Sequence, residues 1–393
     1  MSLLFDKESI VDVSIKSTAD ARPHLVSFFN AARIRELFLH FLTNVEIILS
    51  GREPVQDEMN HCKELALELG RKAVTSNIKI EDLISFAYFL RHLLWESVGE
   101  SELMLSKLQK KELLNAVTRA NEYLSGINFV LMQAYLHRER EIVVYQQKRM
   151  NADLELARRI QQSMFPSHCQ IGACSMCAEI IPSGAVGGDF YGMIPYEIPV
   201  PRADLFIGDV QGKGVASALV MMLITSTIKG TASAQKTPKQ ILSEVNFQFR
   251  RQMTHELDHF VSLFYLSYYP VEKKIFYVKA GHEDGVLIRR NTGEVVVLST
   301  EGYFLGVFED ADYEEKSVVV NTGDRLYLFT DGATLLGNSE GRSFEYEDLY
   351  KVILKHNSLP IGDTLEHITR DLMNLYGREK ALKDDVGFLV VEF

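Results

Sequence analysis

Pro166 divides this chain by the period of its apolar residues. Ahead of it, apolar side chains recur every three or four positions, which is the spacing of one face of a helix. Behind it the period drops to two and turn signals recur at short intervals, which is the pattern of strands. The two parts must therefore bury their apolar faces in different ways. In the front part, Ile34, Phe38, Phe41, Val45 and Ile48 form one stripe, and Gly51 and Pro54 end it. Cys62, Leu65, Ala66, Leu69 and Ala73 form a second, and Leu83, Ala87, Leu90 and Leu94 within Glu81–Trp95 a third. The fourth steps evenly through Leu113, Val117, Ala120, Leu124, Ile127, Leu131 and Ala134.

Between Gly99 and Pro166 the only glycine is Gly126, and there is no proline. A charged stretch, His137–Glu141, leads into a run in which Val143, Met150, Ala157 and Met164 fall at heptad spacing, with Leu154 and Ile160 near the same face. Such a seam predicts pairing with a second helix, and the alternative is packing on its own domain. After Pro166, apolar blocks at Leu205–Ile207, Phe260–Tyr269, Ile275–Val278, Val286–Ile288, Val295–Leu298 and Val318–Val320 predict strands. Helical runs at Val215–Thr231, Pro238–Met253, Glu347–Leu354 and Thr364–Tyr376 interrupt them without regular alternation. This predicts an α+β unit with a largely antiparallel sheet.

Composition narrows the function. A chain of 393 residues has room for roughly two to three domains. The net charge of -11 argues against a nucleic-acid partner, which selects a basic face. Four cysteines do not make a disulfide framework at this length. Met1–Ile10 already carries Asp6, Lys7 and Glu8, unlike a secretory leader. Ile34–Leu49 is broken by Arg35, Glu36, His40 and Glu46, unlike a membrane span. The expectation is a soluble, cytoplasmic protein.

Four aspartates stand beside glycines or turns next to strand-like stretches. Asp189 lies in Gly187-Gly188-Asp189-Phe190-Tyr191-Gly192, Asp209 in Gly208-Asp209-Val210-Gln211-Gly212-Lys213-Gly214, and Asp331 in Thr330-Asp331-Gly332. Asp384, with Asp385, precedes Val386–Val391. Carboxylates on rigid strand ends are hard oxygen ligands suited to Mg²⁺ or Mn²⁺. Two such ions roughly 4 Å apart can activate a water and neutralise a phosphoryl group.

These motifs, together with Val215-Ala216-Ser217-Ala218, Ala280-Gly281-His282 and Lys383-Asp384-Asp385, resemble in order and spacing the metal-dependent serine/threonine phosphatases of the PPM family, SpoIIE/RsbU branch. The resemblance covers about residues 150–393, and the segment Asp153–Pro166 is similar to the helix that leads into this branch. The front part looks, more loosely, like the helical domain of RsbU-type regulators. The resemblance implies an N-terminal all-α regulatory, partner-binding and dimerisation domain at 1–137 and a coiled-coil-like helical linker at 138–166. It implies an α+β phosphatase domain at 167–393, an antiparallel β-sandwich flanked by helices. It implies a two-ion Mn²⁺ or Mg²⁺ centre with Asp209 bridging, assisted by the Val210 carbonyl. Asp331 and Asp384 would hold one ion and Asp189 the other, and a metal-activated water would attack phosphorus without a phospho-enzyme. The implied substrate is a phosphoserine or phosphothreonine on a STAS-type anti-sigma-factor antagonist in a partner-switching pathway. The implied activator is a kinase-like protein at the N-terminal domain of a homodimer. The alternative is a catalytically weak or inactive phosphatase-fold signalling scaffold.

Some positions depart from the family pattern. Gly192 stands where a carboxylate is usual, Leu335 where glutamate is frequent, Asp284 where a proline is common, and Gly387 where threonine or serine is usual. Asp385 reads as a ligand or as an acceptor behind the ligands. His282 reads as a substrate or water contact or as a structural hydrogen bond, and Lys213 as a solvated turn residue or a phosphate contact. Gly208–Gly214 lacks the length and the Ser or Thr of a nucleotide-binding loop. Gly337-Asn338-Ser339-Glu340-Gly341, followed by His356 and His367, formally fits a nucleophile elbow but sits in a polar stretch. Cys174 and Cys177 are spaced like zinc ligands, yet in a strand they would face opposite ways.

Overall fold

The computed structural model describes residues 6–21, 32–99, 110–166, 168–171, 174–197, 201–253, 259–336, 346–376 and 382–393. The chain divides into two compact units, Met1–Met150 and Asn151–Phe393. The front unit contains α1 (Lys7–Ala21), α2 (Ala32–Leu49), α3 (Gln56–Thr75) and α4 (Ile80–Gly99), and α5 (Lys110–Ser163) begins in it. The apolar stripes merge into one core, with Leu37, Phe41 and Val45 of α2 against Leu65 and Leu69 of α3, Leu83 and Phe86 of α4, and Ala120, Leu124, Ile127 and Leu131 of α5. Burial of each such leucine or phenylalanine contributes about 1.5–3 kcal/mol. Asn77, at a φ of 57°, reverses the chain after α3. The Ile78 and Asn77 amides there satisfy the Ala73 and Val74 carbonyls.

The stripe predicted from Leu113 and the heptad run ending at Met164 belong to one helix, α5, because nothing between them breaks it. The unit boundary falls within it, and α1 is a helix that the sequence reading did not single out. Among the described residues no helix is long and apolar enough to cross a membrane.

The second unit holds two antiparallel sheets. One has the order β1 (His168–Ile171), β2 (Cys174–Ile181), β11 (Val386–Glu392), β10 (Arg325–Phe329), β7 (Gly285–Ile288), β8 (Val295–Leu298). The other runs β3 (Phe190–Tyr196), β4 (Arg202–Val210), β5 (Val261–Tyr269), β6 (Lys274–Ala280), β9 (Glu315–Val319). Met176, Leu326, Leu389 and Val391 of the first sheet share a core with Leu205, Ile207, Phe264 and Leu266 of the second. The outer face of the five-stranded sheet carries α6 (Val215–Thr231) and α7 (Pro238–Gln252), through Phe206, Tyr265, Met221, Ile224 and Leu242. The outer face of the other carries α8 (Asp331–Leu335), α9 (Tyr346–His356) and α10 (Ile361–Tyr376), through Tyr327, Phe388, Ile353 and Ile368. The result is the sandwich flanked by helices that the resemblance implies. The predicted period of two is blurred in β4, β5 and β11, which are buried on both faces and so read as continuous apolar runs.

β4 carries polar groups at both ends. At one end the buried Arg202 guanidinium donates to both oxygens of Asp204, from Nε at 2.6 Å and Nη2 at 2.9 Å, and to the Lys236 carbonyl at 2.7 Å. The Tyr265 hydroxyl also donates to Asp204, at 2.6 Å. Asp204→Ala would leave a buried cation without its partner, so the chain should lose about 3–5 kcal/mol of stability in denaturant melts. A loss below about 1 kcal/mol would show that the pair is solvated. The other end of β4 carries Asp209.

Candidate active site

Strand register explains why the aspartates meet. Asp209 is the penultimate residue of β4, and Asp189 immediately precedes β3, whose Phe190 pairs with Gly208. The five-stranded sheet thus presents Asp189 and Asp209 side by side. In the other sheet Phe329 of β10 pairs with Phe388 of β11. Asp331 therefore leaves β10 at the edge where Asp384 and Asp385 enter β11. The two edges are tied together: the Gly387 amide donates to Thr330 Oγ1 at 2.8 Å, and that hydroxyl donates to Asp189 Oδ2 at 2.8 Å.

Asp385 organises the neighbouring loop. One of its oxygens accepts from the Ser183 amide at 2.7 Å and the Ser183 hydroxyl at 2.8 Å, and the other accepts from the Gly188 amide at 2.9 Å. A Cβ on Gly187 would lie 1.9 Å from Asp385 Oδ2, and one on Gly332 would lie 1.7 Å from the Asp385 carbonyl oxygen. Only glycine allows these approaches. A Cβ on Gly188 would be 2.7 Å from the Val210 carbonyl oxygen and 3.2 Å from Asp209 Oδ1, so this loop runs directly over the end of β4. The last turn of α5 grips the same loop from outside. Gln161 Nε2 donates to the Gly187 carbonyl at 2.8 Å, and Gln161 Oε1 accepts from the Gly187 amide at 3.3 Å.

The cluster is electrostatically uncompensated. Burial, then repulsion from Asp209 and Asp385, holds the Asp189 carboxyl well above the usual carboxylate range. Burial, then the charges of Asp331, Asp384 and Asp385, pushes Asp209 up to about 7, while a hydrogen bond from Asp189 opposes the rise. Asp331 is raised by burial and by Asp384 and Glu283. The cation facing this group is Lys213, largely exposed, with Nζ 3.6 Å from Asp384 Oδ1. Among the described residues, no three of these aspartates bring ligand oxygens within 4.8 Å of one another. The set is organised as a tight Asp189–Asp209 pair facing Asp331 and Asp384. Oxygen donors gathered from two sheets with so little positive charge fit hard divalent cations.

The comparisons with known proteins bear on this geometry. The family model for Stage II sporulation protein E (SpoIIE) matches residues 200–393, which include Asp209, Asp331 and Asp384. Phosphoserine phosphatase RsbU of Bacillus subtilis is 26% identical over 246 residues, covering 62% of this chain and 71% of RsbU. Phosphoserine phosphatase RsbP of the same organism is 27% identical over 252 residues, 63% of this chain and 60% of RsbP. The chain carries a SpoIIE-type PP2C phosphatase domain. In fold it is similar to the SiaA-PP2C domain of Pseudomonas aeruginosa, with a TM-score of 0.54 at 23% identity, covering 63% of this chain and 98% of that one. The domain is thus of the protein serine/threonine phosphatase class.

Within this SpoIIE-type domain several departures have local causes. At Gly192 a Cβ would meet the Phe206 ring at 2.3 Å, so the core has filled the place of a side chain. At Gly387 a Cβ would lie 3.0 Å from Asp189 Oδ2, and Thr330 supplies the hydroxyl beside Asp189. Leu335 is exposed, and Asp284 pairs with Lys279. His282 is buried, is bonded through Nδ1 to Ser262 Oγ at 2.7 Å, and is pushed down to about 3 by burial and then Lys279. Ser262 pairs with Asp209 across β5 and β4, so this bond braces β5 beside the aspartate, while the buried His282 Nε2 has no hydrogen-bond partner among the described residues. Cys174 points into the core between the sheets and Cys177 into the opposite face, which excludes a shared zinc. The Gly337–Gly341 elbow lies outside the described residues, and His356 is bonded to Asp371 at 2.8 Å.

Thr330, Ser183 and Gln161 were not identified as functional from sequence. Thr330 stood inside a quoted motif. Gln161 lies in the Asp153–Pro166 segment singled out by the resemblance, but its contact with the Gly187 backbone leaves no pattern in the sequence. Gln161→Ala should lower kcat at least about fivefold through a less ordered Gly187–Asp189 loop, with the thermal midpoint within about 2 °C of wild type. Unchanged kcat and metal affinity would show that the contact has no part in the site.

Proposed function

We propose that this chain is a Mn²⁺- or Mg²⁺-dependent phosphatase that removes phosphate from a phosphoserine or phosphothreonine on an anti-sigma-factor antagonist in a partner-switching pathway. The observation that carries the reading is the convergence of Asp189, Asp209, Asp331 and Asp384 from two sheets onto one edge with uncompensated charge. In this reading Asp189, Asp209 with the Val210 carbonyl, Asp331 and Asp384 would be the residues that hold the ions. Bound ions would activate the attacking water and neutralise the phosphoryl charge. The chain's own residues do the rest. Thr330 fixes the Asp189 carboxylate, Asp385 holds the Ser183–Gly188 loop, and exposed Lys213 meets the incoming phosphate. The substrate class rests on the resemblance and on the two relatives, which are phosphoserine phosphatases by name.

Asp209→Asn tests this against the scaffold alternative. The variant should lose at least about a thousandfold in phosphate release, about 4 kcal/mol of barrier. Above pH 7, where Asp209, raised to about 7 by burial and then by its acidic neighbours, is ionised, it should also raise the metal-free thermal midpoint by about 2–4 °C. Retained turnover would sink the metal mechanism. No metal-dependent turnover in wild type on any phosphoserine protein, with partner binding intact, would favour the scaffold.

Homodimerisation and activation by a kinase-like protein belong to the same proposal. Val143 is 54% and Met150 58% exposed on α5, leaving the heptad face open to a second copy. A groove lined by Ile84, Tyr88, Phe129 and Met132 with Arg91 supports a docking surface for the activator on the front unit. Met150→Glu with Val143→Glu should convert dimer to monomer in light scattering, and an unchanged mass would remove the seam from the account.

A further inference from the structure

The helical unit holds a set of donors of a different kind from the aspartates. Glu36 and His40 are one turn apart on α2, and His61 lies on α3. One ligand atom from each of the three lies within 4.8 Å of the others, and none of the three is deeply buried. Glu36 Oε1 is 3.7 Å from His61 Nε2, longer than a hydrogen bond. The His40 and His61 rings meet edge to face with centroids 5.0 Å apart. Residues four apart on a helix share one face, so α2 presents two donors side by side and α3 brings the third against them.

We propose that Glu36, His40 and His61 form a site for a divalent transition metal of the zinc class that ties α2 to α3. Two imidazoles and one carboxylate suit zinc, whereas the all-oxygen aspartate set suits Mg²⁺ or Mn²⁺. Zinc bonds of about 2.0–2.2 Å would draw the donors closer than they stand, a change that half-exposed side chains can make by rotation. A solvent water completes the tetrahedron. The site clamps the two helices on either side of the Ser50–Val55 connection, so the bound metal stiffens the helical unit.

The test uses the full chain, stripped by chelator and then kept in excess Mg²⁺ to occupy the aspartate centre. Equilibrium dialysis with Zn²⁺ should show one equivalent on wild type and on Asp209→Asn. That equivalent should be lost in His61→Ala and in Glu36→Gln and restored in His61→Cys, which returns a zinc ligand. Zn²⁺ should raise the thermal midpoint of wild type and leave that of His61→Ala unmoved. The metal-free midpoints of the variants, read in the same melts, report their folding. Equal zinc uptake by wild type and His61→Ala, or no uptake by wild type, would overturn the site.

Discussion

The tie from the Gly387 amide through the Thr330 hydroxyl to Asp189 joins the two sheets at the point where their acids meet. Without such a tie, like charges on two independent edges would move apart and hydrate separately. With it, the acids are held close in a buried frame, and burial first, then their mutual repulsion, raises the proton affinities of Asp189, Asp209 and Asp331. A cation bound at the edge would offset that repulsion. Gly187 and Gly332, pressed against Asp385, let the loop and the start of α8 close on that edge.

Control of such a centre need not touch the ligands. The loop Gly187–Asp189 is held between Asp385 on the inside and Gln161 on the outside. Gln161 belongs to the last turn of α5, whose upstream heptad face is exposed. Pairing of that face in a dimer would fix the register of the final turn and hence the loop. In the proposed reading, regulation would lie in the geometry of one helix end and would leave the aspartates themselves in place.

Much of this was legible in the sequence, and the parts that were not share a physical reason. Helix stripes and strand runs depend on neighbours in sequence, so α6 and β8 were read to the residue. The opposite burial of Cys174 and Cys177 followed from the strand period alone. The aspartates were visible because each sits beside a glycine or turn at the end of a strand-like run. The Thr330–Asp189 bond spans 141 residues and the Gln161–Gly187 pair spans 26, and neither leaves a local pattern. The burial of β4 on both faces, under the second sheet and the helices that follow it, hid its alternation. The role of Asp385 stayed open until the loop it holds was seen.

The frame holds buried carboxylates of Asp189 and Asp209 beside Asp331 and Asp384, an oxygen-donor set suited to hard cations. Electron paramagnetic resonance of free Mn²⁺ during titration of the metal-free chain reads this directly. Wild type should bind two equivalents, and Asp189→Asn should lose bound Mn²⁺. Failure of wild type to take up Mn²⁺, or unchanged uptake in Asp189→Asn, would contradict it.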